Sequence, residues 1–214
     1  MRQWFAALLL AALSGCAAIP ERPPVGDRDA AWSARTQALG PVDSWEIRGR
    51  IALRTADEGW QASLLWLRAK DRHDIDLAGP LGSGHVRLRQ DASGAELRDS
   101  ARQILRDTSA ENLLMRATGW QLPVNGLGYW VRGLPAPGAV SAPDLDEWGR
   151  LRTLRQLGWQ VEFLSYEYVD SLELPSKLFI KRADPALPGG DKATPGSDPT
   201  LEVRVVIDRW TLKR

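Results

Sequence analysis

From Trp45 to Leu53 every second residue is apolar or glycine (Trp45, Ile47, Gly49, Ile51, Leu53), while Glu46, Arg48, Arg50 and Arg54 take most of the alternate positions. A period of two places the first set on one face of a strand and the second on the other. This stretch therefore belongs to a sheet with one buried and one wet side. Two further strands follow over 58–69 and 73–78, ending at the tip Gly79-Pro80-Leu81-Gly82. The first of these carries Trp60, Ala62, Leu64 and Trp66 on one side but Leu65 and Leu67 on the other. A strand apolar on both sides must bury both, or line something other than water. The expectation is a sheet that curls around an apolar cavity, with its tip meeting a second apolar phase.

The first fifteen residues stand outside that fold. Arg2, an apolar run from Trp4 to Leu13 and the small residues Ser14 and Gly15 read as a secretory signal too short to span a bilayer. The single cysteine, Cys16, follows directly and has no partner for an internal disulfide. Leu13-Ser14-Gly15-Cys16 resembles a bacterial lipobox. That resemblance implies that Cys16 becomes the lipidated first residue of the mature chain, its N-acyl diacylglycerol anchor being the only covalent group expected. By resemblance to the bacterial sorting rule, in which Asp after the cysteine retains a lipoprotein at the inner membrane, Ala17 implies the outer membrane of a Gram-negative bacterium, facing the periplasm. Residues 16–26 read as a proline-rich tether, and 27–214 as a single domain large enough for its own core.

Charge removes some partners. Setting Arg2 aside leaves 27 of the 28 basic residues against 27 acidic ones. A neutral chain is a poor competitor for the counterions of nucleic acid and a poor electrostatic adhesive for anionic lipid. Ten tryptophans supply large apolar bodies suited to a pocket or an interface, and equally to core packing.

Asp27 and Asp29 are candidate caps for a helix over 29–39, with Trp32, Thr36 and Leu39 on one face; it serves as a plug at one end of the sheet or as a lid. Strands are expected at 84–90 and 95–100. Thr108-x-x-Glu111 reads as a capping box before Leu113, Leu114 and Ala117, and Gly119 ends that helix. Pro123 opens a second helix over 123–134, weakened at Gly126 and Gly128 by roughly 1 kcal/mol each relative to alanine. It is either a mobile lid or a helix packed so close to the sheet that only glycine fits. Alternation resumes over 150–156, 159–163, at Leu164, Tyr166 and Tyr168, then over 178–182 and 201–207, with a proline- and glycine-rich insertion at 184–199. Nine or more antiparallel strands must curl or close. The fold class is mainly β (α+β), a curved, unclosed antiparallel β-barrel with helices covering its concave apolar face.

Catalytic patterns are wanting. His73 and His85 read as surface residues flanking a loop, and Ser83 beside His85 has no strand-to-helix elbow to frame it. The Gly79–Gly84 run joins two strands, so it is no phosphate cradle. The only cysteine is the anchor, which leaves no zinc spacing, and Asp74 and Asp76 share the wet face of one strand. Neither enzyme activity nor a metal is expected.

Trp45-Glu-Ile-Arg-Gly-Arg-Ile-Ala52, Trp60-x5-Trp66, Gly79-Pro-Leu-Gly82, Leu122-Pro-Val124, Tyr129-Trp-Val-Arg-Gly-Leu-Pro135, Gln156-Leu-Gly-Trp159 and Leu174-Pro175 together resemble the LolB family, from about Ala31 to the C-terminus. The resemblance implies an outer-membrane receptor that accepts acylated lipoproteins from a LolA-like periplasmic carrier and inserts them into the outer membrane, acting as a monomer. It assigns to Leu81, flanked by Pro80 and Gly82, the role of a loop residue that enters the membrane. The 184–199 insertion, and Gly79 where some members carry Asn, depart from the family pattern. Strand alternation assigns Ile47, Ile51, Leu64, Trp66, Leu77, Leu88, Val161 and Phe163 to the acyl-chain cavity, and the apolar stripes of the two helices add Leu114 and Val131, although a one-residue slip would reverse a strand. The alternative is a tethered outer-membrane scaffold that binds protein partners in an envelope assembly machine; a filled core would distinguish it.

Overall fold

The computed structural model describes residues 23–80, 84–138, 143–183 and 201–213. Cys16, the tip residues Leu81 and Gly82, and the 184–199 insertion lie outside them. Among the described residues eleven strands form one antiparallel sheet with order β6-β5-β4-β3-β2-β1-β11-β10-β9-β8-β7. The strands are β1 (Ser44–Arg54), β2 (Gly59–Ala69), β3 (Arg72–Ala78), β4 (His85–Asp91), β5 (Gly94–Arg98) and β6 (Ile104–Asp107), then β7 (Asp144–Leu145), β8 (Leu151–Gln156), β9 (Trp159–Val169), β10 (Leu172–Arg182) and β11 (Glu202–Leu212). The chain meanders outward from β1 to one edge, crosses to the other edge, and meanders back until β11 pairs with β1. β6 and β7 remain unpaired edges, so the barrel is open, as expected.

The crossing between those edges carries α2 (Ala110–Thr118) and α3 (Val124–Trp130), while α1 (Arg28–Leu39) precedes the sheet. The Asp27 side chain caps α1 by accepting from the Ala30 N–H at 2.9 Å. Arg35 on α1 donates to the Glu173 carbonyl and stacks on Tyr166, which docks this helix on β9 and β10. The helix is thus a plug on the packed side of the barrel.

Several boundaries differ from the sequence expectation. The cap of α2 is Ser109, whose hydroxyl accepts from the Asn112 N–H at 3.1 Å; Thr108 instead donates to Asp107. The helix expected over 123–134 stops at Trp130, and the chain turns at Gly133 with φ of 74°. β6 and β7 are short edge strands without a period to betray them. Tyr166 and Tyr168 belong to one continuous strand with Trp159, and β11 runs on past Val205 to Leu212. Leu65 and Leu67 are half-buried on the convex face, each between cross-strand charges (Arg48 and Asp76, Glu46 and Asp74), facing away from the inward rows. The stems of such neighbours cover apolar side chains that the alternation rule alone would bury.

Buried side chains from every strand except β6 and from both crossing helices form a continuous core. That core lies wholly within 39–210, so the body from Pro23 onward carries its own hydrophobic interior.

Candidate functional site

The inward rows of the sheet are set by its register. Ile47, Trp66, Ile75, Leu88 and Leu97 stand across successive strands, and Leu64, Leu77 and Val86 form the next row. On one side of the barrel these rows meet a second apolar mass. Trp45 packs edge-on against Trp66 at 5.3 Å and against Trp210 at 5.5 Å, and Trp130, Trp159, Leu154 and Leu178 are buried with them. On the other side the rows face a gap. Gly84 contributes no side chain at its rim. The result is a hollow of about 180 Å³ enclosed by β1–β4, β11, α2 and α3, with an almost wholly apolar wall.

Seven of the ten expected wall residues line this hollow: Ile51, Leu64, Trp66, Leu77, Leu88, Leu114 and Val131. Ile47, Val161 and Phe163 do not. Ile47 points inward but lies between Trp66 and Trp210, and Val161 sits between Leu154 and Ile180. Phe163 stacks on Tyr166 at 6.2 Å. All three belong to the filled side of the barrel; alternation gives the face of a residue, not whether the space in front of it is occupied. The sequence reading missed Leu53, Trp60, Ile75, Val86 and Val205, and the non-strand residues Trp120 and Leu122. The strand members of that set were available from the same alternation that found their neighbours. Trp120 had no periodic signal, yet it closes the rim by packing against Trp60 at 5.8 Å.

The rim of the hollow lies at the β3–β4 hairpin. Leu77, Gly84 and Val86 line it there, and the Gly79 N–H donates to the Gly84 carbonyl at 2.9 Å to close the hairpin base. Pro80 follows that base, exposed; its companions Leu81 and Gly82 lie outside the described residues.

Opposite the rim is a polar cluster the sequence did not announce. His73 is buried, not on the surface as expected; only His85 is exposed, 2.7 Å from Asp76. The Trp66 indole donates to His73 Nδ1 at 3.1 Å, and burial followed by the nearby Arg68 charge pulls the imidazole pKa down to about 4. Arg68 and Arg132, both buried, donate to the single Gly128 carbonyl at 3.2 Å and lie on Tyr129 at 5.0 and 4.9 Å. They satisfy the C-terminal end of α3 where its own ladder leaves a carbonyl free. Burial and then the Arg68 charge lower the Arg132 pKa to about 10. At the other end of α3, Gln90 accepts from the Ala110 N–H at 3.1 Å and donates to Asn125 at 3.0 Å, which ties both crossing helices to β4.

The glycines of α3 are explained by closeness. A Cβ at Gly128 would lie 2.8 Å from His73 Cε1, and one at Gly126 would lie 3.0 Å from Leu157 Cδ1. Of the two readings of this helix, the structure supports close packing on the sheet.

The sequence profile of the family described as outer membrane lipoprotein LolB matches residues 43–210. Proteins called outer-membrane lipoprotein LolB from Nitrosococcus oceani and Pseudomonas savastanoi pv. phaseolicola are 36% and 41% identical over 201 and 206 residues, in each case 94% of this chain and 92% of the relative. The counterpart from Alkalilimnicola ehrlichii is 37% identical over 99% of this chain and 97% of its own. Among solved structures, a LolA superfamily protein of Nitrosomonas europaea superposes with a TM-score of 0.52 at 8% identity, covering 89% of this chain and 95% of that one. A likeness at that identity speaks for the fold alone, and it is an open β-barrel that the two share.

Proposed function

This chain belongs to the outer membrane lipoprotein LolB family, and on that premise we propose that it receives acylated lipoproteins from a LolA-like periplasmic carrier and delivers them into the outer membrane's inner leaflet. The observation that carries this reading is the apolar hollow, enclosed by protein and rimmed by the β3–β4 hairpin. A space walled mainly by Leu, Ile, Val and Trp has nothing to offer a polar substrate, and its lining gives up contacts that an apolar guest would restore.

Transfer of this kind runs downhill without fuel. Each methylene withdrawn from water contributes about 0.8 kcal/mol, so an acyl chain leaves one apolar site only for another that holds it better. At about 180 Å³ the hollow is slightly larger than the ~150 Å³ engineered cavity that admits benzene, and smaller than the ~300–1,000 Å³ of ligand pockets. The described state is therefore the closed one. Entry of whole chains requires α2 and the 120–124 segment to move outward from the sheet, with the Gln90 ties as the fixed end.

Cys16 in this reading carries the diacylglycerol anchor, and residues 16–26 tether the domain to the membrane. Leu81 at the hairpin tip enters the bilayer interface, where full burial contributes roughly 1.5–3 kcal/mol. Leu81→Glu leaves fold and carrier docking intact and stalls delivery; unchanged delivery refutes the role of the tip. The hollow itself is tested with a fluorescent acyl probe. Leu114→Trp, which fills the space from α2, is expected to abolish uptake while thermal unfolding stays cooperative. Uptake equal to that of the unaltered chain would place the chains somewhere else.

A further inference from the structure

A second cleft, of about 560 Å³, opens at the foot of the β3–β4 hairpin. Two adjacent cross-strand rows build it. One runs Lys177, Val206, Arg50, Ser63, Ala78 across β10, β11, β1, β2 and β3; the other runs Arg204, Ala52, Gln61. Pro80 completes the wall next to the hairpin loop. Its floor of small and apolar side chains carries a rim of three cations and a hydroxyl.

Those cations are only loosely engaged. Arg50 meets Asp208 at 3.0 Å and Arg204 meets Glu202 at 3.8 Å, each pair more than a third exposed. Exposed pairs of this sort hold little and exchange readily with other anions. Lys177, exposed, has no acidic partner among the described residues. Further along the same strands Arg48 stands directly across from Arg209, so the cationic stripe continues. Like charges opposed in a ladder weaken it, and among the described residues only Arg48 of the two is offset, by Glu46 at 2.7 Å. A chain neutral in sum thus concentrates positive charge on one convex strip beside the hairpin.

We propose that this cleft binds the phosphate headgroup of an anionic phospholipid. The Arg50 and Arg204 forks and the Lys177 ammonium take the phosphate oxygens, and Ser63 donates to one of them. The floor of Val206, Ala52, Ala78 and Pro80 distinguishes lipid from free phosphate. An inorganic ion gains nothing from apolar walls, whereas the glycerol and first methylenes of a lipid do. This inference rests on the reading that the hairpin tip meets the bilayer, which sets the cleft at headgroup depth.

The test is co-sedimentation of the chain from Pro23, which carries its own core, with phosphatidylethanolamine vesicles with and without phosphatidylglycerol. A cation near an anionic leaflet is worth roughly fivefold in affinity. Lys177→Gln/Arg204→Gln is expected to lose about 25-fold on vesicles containing phosphatidylglycerol and nothing on phosphatidylethanolamine alone. The remote exposed pair Arg98→Gln/Arg106→Gln is expected to lose much less. Equal binding by the cleft variant and the unaltered chain overturns the proposal, as does an equal loss in the remote variant. Displacement by inorganic phosphate beyond that by chloride at the same ionic strength also overturns it, in favour of a free-phosphate site. Binding to phosphatidylethanolamine alone and uptake of an acyl probe report separately on the tip and the hollow, so failure of those readings is not confused with failure of this one.

Discussion

Trp66 and His73 are diagonal neighbours across the β2–β3 pair, the indole N–H of the first donating to the bare Nδ1 of the second at 3.1 Å. One partner lines the hollow and the other supports Gly128 of α3, so the wall of the cavity and the seat of the crossing helix share a hydrogen bond. The bond requires an unprotonated imidazole. Burial holds the folded pKa near 4 against an ordinary value of 6.5. The unfolded chain therefore takes up a proton at a pH where the folded chain does not. The stability this residue contributes is complete above pH 6.5 and is lost as pH falls from there towards about 4, in total roughly 3 kcal/mol. Urea denaturation across that window should show the loss, and His73→Gln should flatten it.

Gly49 and Gly128 mark two places with no room for a side chain, the first against a backbone and the second against the His73 ring. A Cβ on Gly49 would lie 2.0 Å from the Val206 carbonyl oxygen, at the bulge where β1 slips against β11. A backbone oxygen in the middle of a sheet has no rotamer to escape into. Gly49→Ala is expected to cost about 3 kcal/mol or more, with Gly128→Ala nearer 1–3 kcal/mol because the His73 ring can tilt. Chemical denaturation checks the order; equal and negligible losses would contradict the register described here.

Gln156 holds three buried polar groups at once. Its amide oxygen accepts from Trp130 Nε1 at 3.1 Å and from the Ala136 N–H at 2.8 Å, and its amide nitrogen donates to the Ala136 carbonyl at 2.7 Å. Gln156→Leu keeps the volume and strands all three. With each stranded group costing ~1–3 kcal/mol, a loss of about 3 kcal/mol or more is expected in thermal or urea unfolding. Trp130 fluorescence should respond as its indole loses that partner.

The sheet was legible because a period of two runs through most of its long strands, from Trp45 in β1 to Val205 in β11, and because Asp91–Gly94 and Leu157-Gly158 are turns by composition. Leu157 and Gly158 indeed take φ of 55° and 73°, the pair that a tight hairpin needs. What alternation could not supply was occupancy. Ile47 and Ile51 share a face, yet one is packed between two tryptophans and the other lines open space. Nor could it supply chain crossings: Arg68 and His73 occupy inward positions by alternation, but their polar side chains gave no sign that α3 lies over them. The capping box was misplaced by one residue because Thr108 and Ser109 are chemically equivalent caps, and the neighbouring Asp107 claims the first of them.

The central claim is that the hollow receives the acyl chains of another molecule, and a structure of the anchor-free body soaked with a long-chain amphiphile tests it most directly. The account predicts the tail between Trp66, Leu77 and Leu114, with α2 displaced outward and the ties from Gln90 to Ala110 and Asn125 kept. A tail lying only on the outer surface, with the hollow still closed at about 180 Å³, would contradict it.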